Sequence, residues 1–116
     1  MKFALIDLGS NSSRMYLLEE GEDGSIRILA RERVMTRLSE GMGDAQRIRE
    51  DAAARTAAVL KKFHTMAEDA GAKILAVATA AVRKAKNGAA FCESIERETG
   101  IRLNVISGQL EAFFDF

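Results

Sequence analysis

The sequence has no proline and a single cysteine among its 116 residues. Without proline, no rigid proline-rich linker marks a domain boundary, and a chain of this length is expected to form one domain. A lone cysteine, Cys92, excludes an internal disulfide framework and a zinc site built from several cysteines. We expect Cys92 to be a small core residue rather than a nucleophile.

Net charge and long apolar runs are also missing. The 17 basic and 17 acidic side chains cancel, which excludes a uniformly basic surface for nucleic acid. No apolar run approaches the roughly 20 residues that span a bilayer, and Asp7 comes too early for a signal-peptide core. The sequence therefore predicts a cytoplasmic protein that binds neither nucleic acid nor membrane. A hydrophobic content of 47% is sufficient for a packed core.

The first third of the chain is predicted to form an antiparallel meander of three strands. Short apolar segments end at turn residues: Gly9-Ser10-Asn11 follows the first strand, and residues 21–24 follow the second. The three strands are predicted over residues 2–8, 13–20 and 26–34.

Helices and strands alternate in the rest of the chain. Apolar residues recur at helical spacing between Glu50 and Ala70, and Gly71 suits the position just after a helix. The elements predicted here are a loop at 38–46, helices at 50–70, 80–85 and 89–99, strands at 73–79 and 101–106, and a last helix opening at 109. The order βββαβαβα predicts an α/β fold in which a mixed sheet of about five strands is flanked by helices.

The segment from Asp7 to Arg14 is the first that suggests chemistry. A carboxylate ends a strand, a glycine allows a tight turn, and backbone amides and small polar side chains follow in Gly9, Ser10, Asn11 and Ser12. Such a turn can direct several N–H groups at a phosphate, with a charged contact from Arg14 and water or hydrated Mg²⁺ on Asp7. The same residues also suit a polar hairpin turn without a ligand.

Two later residues point to the same edge of the predicted sheet. Arg83 follows a strand, and Glu111 follows the last strand-to-helix turn. Ligands of open α/β sheets collect beyond the carboxyl ends of strands, so Arg83 is a candidate contact for an anion and Glu111 a candidate general base. Taken singly, Arg83 also suits an exposed helix position, and Glu111 suits the positive end of a helix dipole.

Together these segments resemble one enzyme family. IDLGSNSSR at 6–14, RLSEGM at 37–42, VATAAVRKAKNG at 77–88 and VISGQLEA at 105–112 are similar to signature segments of the exopolyphosphatase and guanosine pentaphosphate phosphohydrolase family. The resemblance implies a ribonuclease-H-like lobe of the actin and sugar-kinase superfamily. It also implies that residues 1–116 form a single first lobe, with the second lobe of the same protein absent. The implied reaction is removal of the terminal phosphate of polyphosphate or pppGpp with Mg²⁺ or another divalent cation.

The resemblance also assigns roles by position. The turn from Gly9 to Ser12 matches a phosphate-binding loop with Asp7 beside the metal. Arg14 and Arg83 match basic positions near the transferred phosphate, and Glu111 matches the glutamate that activates water.

Three further expectations accompany the resemblance. The family's second glycine-rich phosphate loop does not occur in these 116 residues, so the lobe alone is expected to have little or no activity. A sugar- or acetate-kinase-like lobe and a non-catalytic nucleotide-sensing module remain alternatives. The apolar residues at 113–116 are compatible with self-association as a homodimer.

Overall fold

The computed structural model describes residues 1–109. The meander contains β1 (Lys2–Leu8), β2 (Ser13–Glu20) and β3 (Ile26–Val34). After a 3-10 turn at Gly43–Ala45 come α1 (Glu50–Asp69), β4 (Lys73–Ala78), α2 (Ala80–Lys84), α3 (Gly88–Thr99) and β5 (Leu103–Val105). The last predicted helix and the apolar stretch at 113–116 lie outside the described residues, apart from Gln109.

The five strands form one mixed sheet, as predicted, and their order in the sheet is β3-β2-β1-β4-β5. The pairs β1–β2 and β2–β3 are antiparallel, whereas β1–β4 and β4–β5 are parallel. Leu8 is in register with Ala78, and Ala78 with Val105. Because β1, β4 and β5 run in the same direction, their carboxyl ends meet at one edge of the sheet, and the residues after them are brought together there.

The core lies between the sheet and the helices. Alternate residues of β1, namely Ala4, Ile6 and Leu8, are buried, as the two-residue period of a strand requires. Leu60 and Phe63 of α1 belong to the same buried cluster. The opposite face of the sheet is less covered among the described residues, since Leu75 of β4 is 50% exposed. No helix in this part of the chain is long and apolar enough to cross a membrane.

Several boundaries differ from the predictions, and the helices predicted at 50–70 and 80–85 each end one residue earlier. The last strand is shorter because only Leu103–Val105 pairs with β4, although Ile101 and Ile106 on either side are buried. The fourth strand ends at Ala78 rather than Thr79. The third helix begins at Gly88 instead of at residue 89. The predicted start of α1 at Glu50 is confirmed, although no side chain caps that end.

Asn87 explains how the start of α3 is fixed. Its Oδ1 accepts a hydrogen bond from the backbone N–H of Ile48 at 2.8 Å, and its Nδ2 donates to the carbonyl of Ile48 at 3.0 Å. The side chain therefore satisfies both backbone groups of a residue just before α1. This clamp ties the loop before α1 to the residue before α3.

Candidate functional site

A polar pocket lies at the sheet edge where β1, β4 and β5 end. Its volume is about 280 Å³. Residues from the first four strands, the turn after β1 and the segments after β4 and β5 line it: Asp7, Gly9, Ser10, Asn11, Ser12, Arg14, Arg33, Val77, Thr79 and Ile106. The predicted turn, Asp7 and Arg14 therefore share one pocket.

The turn after β1 is closed by a short hydrogen bond within itself. The N–H of Gly9 donates to the carbonyl of Ser12 at 3.0 Å. A Cβ on Gly9 would lie 3.1 Å from that same carbonyl oxygen, so a side chain there would crowd the turn. Within residues 1–109, the N–H groups of Ser10, Asn11 and Ser12 donate to no other backbone group. These amides are therefore available to a ligand.

A neighbouring loop fixes the orientation of the turn. The carbonyl of Ser10 accepts two hydrogen bonds from Ser39, one from the backbone N–H at 3.0 Å and one from the side-chain Oγ at 3.2 Å. The carbonyl of Asn11 accepts from the N–H of Arg37 at 2.9 Å. The structure contains no cis peptide bond among its described residues, and in a planar trans peptide the N–H points opposite to the carbonyl. The N–H groups of Asn11 and Ser12 consequently point away from that loop.

The bracing loop is itself held by the first long helix. Arg55 of α1 donates from Nε to the carbonyl of Thr36 at 2.8 Å and from Nη2 to the carbonyl of Arg37 at 3.2 Å. The buried hydroxyls of Thr36 and Ser13 are hydrogen-bonded at 2.8 Å. Arg37 has a φ of 52°, a left-handed conformation that side chains disfavour, and these contacts hold it there. The pocket thus rests on contacts that reach back to α1.

Opposite charges line the pocket. Asp7 and Arg14 are register partners in the β1–β2 pair, and Arg14 and Arg33 are register partners in the β2–β3 pair. Among the described residues, one carboxylate and two guanidinium groups therefore face this space. The excess of positive charge suits an anionic ligand.

The donor set fits a hydrated cation shared with a phosphate better than a protein cage. No group of three or more His, Cys, Asp or Glu side chains that could hold a metal occurs in residues 1–109. Mg²⁺ commonly keeps several waters and binds one or two carboxylates together with substrate phosphates. Asp7 alone can supply such a carboxylate.

The two remaining predicted site residues are placed differently. Arg83 lies in α2 at the same sheet edge, and its Nη1 donates to the carbonyl of Ile106 at 2.8 Å. Ile106 lines the pocket, whereas the side chain of Arg83 is not among the lining groups. Glu111 lies outside the described residues. Phosphate contact by Arg83 and base catalysis by Glu111 both stay predictions.

Arg33, Thr79 and Ile106 line the pocket without having been singled out from the sequence. Thr79 follows β4 directly, and its N–H and Oγ1 donate to the carbonyl of Leu8 at 3.3 and 3.4 Å. Ile106 follows β5, and its N–H donates to the carbonyl of Ala78 at 3.0 Å. The edge rule that selects Arg83 also selects both of these residues. Arg33 is different, because only the register of the β2–β3 hairpin reveals it.

The sheet order and the edge pocket define a ribonuclease-H-like lobe of the actin-like class, as the sequence predicts. The chain belongs to the Ppx/GppA phosphatase family, whose sequence model matches residues 17–116. The resemblance inferred from the motifs is therefore confirmed.

Solved structures and a curated relative agree with this assignment. The crystal structure of the Aquifex aeolicus member of the Ppx/GppA family has a TM-score of 0.91 and 33% identity, over 96% of this chain and 36% of that one. An exopolyphosphatase from Cytophaga hutchinsonii has a TM-score of 0.92 and 27% identity, over 97% and 36%. Exopolyphosphatase 1 of Mycobacterium leprae is 27% identical over an alignment of 117 positions, which covers 100% of this chain and 34% of that protein. The chain thus spans about a third of the length of these relatives.

Proposed function

We propose that this chain is one lobe of an enzyme that hydrolyses the terminal phosphoanhydride bond of polyphosphate or pppGpp. The observation that carries the proposal is the turn after β1, where the amides of Asn11 and Ser12 are directed away from their bracing loop and share a pocket with Arg14 and Asp7. Membership of a phosphatase family, and relatives named exopolyphosphatase, support the same chemistry.

In this proposal the residues act by positioning and charge. The amides of Ser10, Asn11 and Ser12 bind oxygens of the terminal phosphoryl group, and Arg14 stabilises the negative charge that accumulates there. Glu111 accepts a proton from a water that attacks the phosphorus in line with the anhydride bond. That bond breaks with its electron pair leaving on the shortened phosphate chain. Arg83, which is bonded to the carbonyl of Ile106 at the same sheet edge, would supply a further contact to the transferred phosphate.

Asp7 would hold the divalent cation, Mg²⁺ or a similar ion, through water or directly. When bound, the cation neutralises phosphate oxygens and so favours attack by water. Asp7 also lies beside Arg14 across the β1–β2 pair.

We further propose that a second lobe of the same protein supplies the opposite wall of the active site. Donors on one wall bind a phosphate but do not fix an attacking water and a leaving group in line, and that loss of orientation costs many orders of magnitude in rate. The 116-residue chain alone should therefore release phosphate from polyphosphate at a negligible rate. Rapid multiple turnover by the purified chain would contradict this part of the proposal.

Binding by the turn can be tested on the chain itself. Titration of ¹⁵N-labelled protein with orthophosphate should shift the amide resonances of Ser10, Asn11 and Ser12. Arg14→Gln should weaken binding by roughly tenfold or more, because a hydrogen bond from a charged donor is lost. Arg97→Gln changes the charge equally on an exposed position of α3 and should leave binding unchanged. Absence of shifts in the turn at millimolar phosphate would remove the basis of the proposal.

Catalysis can be tested in a chimera that joins residues 1–116 to the remainder of the Aquifex aeolicus family member. The chimera should release phosphate from polyphosphate, and Glu111→Gln should lower the rate by about 10²- to 10⁴-fold while leaving orthophosphate binding intact. Unchanged hydrolysis by Glu111→Gln would favour a non-catalytic, nucleotide-sensing role for this lobe. Phosphorylation of a sugar or acetate by ATP, without hydrolysis of polyphosphate, would favour the kinase alternative.

A further inference from the structure

A second groove, lined mainly by charged residues, adjoins the candidate phosphate pocket on the β2–β3 hairpin. Its volume is about 360 Å³, and its lining side chains are Arg14, Tyr16, Arg31, Glu32 and Arg33. Arg14 and Arg33 line the pocket and the groove alike, so the two spaces adjoin at these two residues. We call this space the arginine groove.

The hairpin register brings the groove residues together. Arg14 of β2 is opposite Arg33 of β3, and Tyr16 is opposite Arg31. Side chains two residues apart on a strand lie on the same face, so the three arginines and the tyrosine share one face of the hairpin. Directly opposed like charges destabilise an antiparallel pair. The pair Arg14–Arg33 therefore favours a bound anion that would relieve the repulsion.

The counter-charge in the groove is incomplete. Among the described residues no ion pair joins Arg14, Arg31 or Arg33 to a carboxylate. By contrast, Arg27 on the same strand forms an ion pair with Glu19. Glu32 also lines the groove and offsets one of its three positive charges. The groove keeps an excess of positive charge directly beside the turn.

We propose that the arginine groove binds the phosphates that follow the terminal one in a linear oligophosphate chain. This inference rests on the proposed function, in which the turn holds the terminal phosphate. Arg31 lies two residues from Arg33, or roughly 6.6 Å along the strand, on the side away from the turn, so the two side chains leave the backbone one after the other along the groove. Such spacing suits a ligand with several phosphates in a row. The hydroxyl of Tyr16 adds a neutral donor between the charges.

The groove and the turn can be separated by two probes, orthophosphate and tripolyphosphate. Orthophosphate fills only the turn, whereas tripolyphosphate also reaches the groove. In amide-resonance titrations of the 116-residue chain, orthophosphate should shift the turn alone, and tripolyphosphate should additionally shift Tyr16 and Arg31. The wild-type chain should bind tripolyphosphate more tightly than orthophosphate, with a steeper dependence on salt.

Substitution of Arg31 is the decisive arm. Arg31→Gln should weaken tripolyphosphate binding by roughly fivefold and leave orthophosphate binding unchanged, as expected for one exposed charged contact. Arg31→Lys keeps the charge and should restore most of the affinity. The matched control Arg27→Gln removes one charge from the same strand and should affect neither probe.

The outcomes distinguish the two proposals. If orthophosphate shifts no amide resonance in the turn, the proposed function is contradicted, whether or not tripolyphosphate binds in the groove. If orthophosphate binds in the turn but Arg31→Gln binds tripolyphosphate as tightly as wild type, the groove proposal is overturned and the proposed function stands. An equal loss in Arg27→Gln would show that overall charge rather than the groove attracts the longer anion, and this too would overturn the groove proposal.

Discussion

Arg55 joins α1 to the loop that braces the candidate phosphate turn, and Arg55→Met should loosen both. The bond from Nε to the carbonyl of Thr36 is 2.8 Å long, and Thr36 is fully buried. Loss of a charged donor to such a carbonyl costs about 1.5–3 kcal/mol. The exposed bond to Arg37, at 3.2 Å, and the ion pairs with Glu40 and Asp51, at 3.4 and 3.9 Å, add at most about 1 kcal/mol in all. Since methionine keeps the apolar stem, we expect the free energy of unfolding to fall by about 2–3 kcal/mol.

Urea denaturation followed by circular dichroism measures this loss. Arg97→Met on the exposed surface of α3 is the matched control and should change the free energy of unfolding by less than about 0.5 kcal/mol. Arg55→Met should also bind orthophosphate more weakly, because the loop that fixes the turn carbonyls loses its support. A destabilisation of Arg55→Met no larger than that of Arg97→Met would refute the reasoning.

Two more substitutions or conditions test other parts of the structure. Gly88→Ala should destabilise the chain by about 1–3 kcal/mol or more in the same urea assay, because its Cβ would lie 2.3 Å from the carbonyl oxygen of Val82. A variant as stable as wild type would mean that the α2–α3 junction is not as close as described. Burial raises the pKa of the Cys92 thiol, so iodoacetamide should alkylate it more slowly in the native chain than in the urea-unfolded chain at about pH 8. Equal alkylation rates would contradict the burial. Because the native thiol holds its proton to higher pH, its contribution to the free energy of unfolding is present at neutral pH and is lost as pH rises through the raised native pKa.

The strands and long helices could be predicted from the sequence because their local signals agree with their packing. The boundaries of β1, β2 and β3 are confirmed, since each has apolar residues between strong turn residues. The last strand was predicted too long because Ile101 and Ile106 are as apolar as a strand requires. Both are buried outside the β4–β5 ladder. Apolar patterning reports burial, and burial alone does not specify a hydrogen-bonded strand.

The part of the candidate site that was predicted from the sequence consists of residues that are close in sequence. Asp7, the turn and Arg14 lie within one segment, and the structure places them in one pocket. Arg33 lines the same pocket because a β-bulge shifts the register of the β2–β3 pair. The register is Glu20 with Ile26 near the hairpin turn, and it shifts by one residue between Leu17 and Leu18. In an antiparallel pair without a bulge, the residue numbers of all partners add up to the same value, which is 46 for Glu20 and Ile26. That register would place Glu32 opposite Arg14, whereas the observed partner is Arg33.

The bulge therefore decides the sign of the charge beside the turn. A bulge of this kind cannot be located from alternation alone, because a shift of one residue exchanges the two faces of a strand. The sequence of β3 has acidic and basic residues in neighbouring positions, so the two registers predict opposite electrostatics. Only the backbone pairing distinguishes them.

The hydrogen bonds from residues 37–39 fix the conformation of the turn before any anion binds. Two carbonyls of the turn, those of Ser10 and Asn11, are already engaged by that loop, so their peptide groups need no rearrangement when a ligand arrives. Conformational entropy that a mobile loop would lose on binding has already been lost during folding. In the proposed function, the phosphate is therefore bound by a turn whose shape is already fixed in the folded lobe.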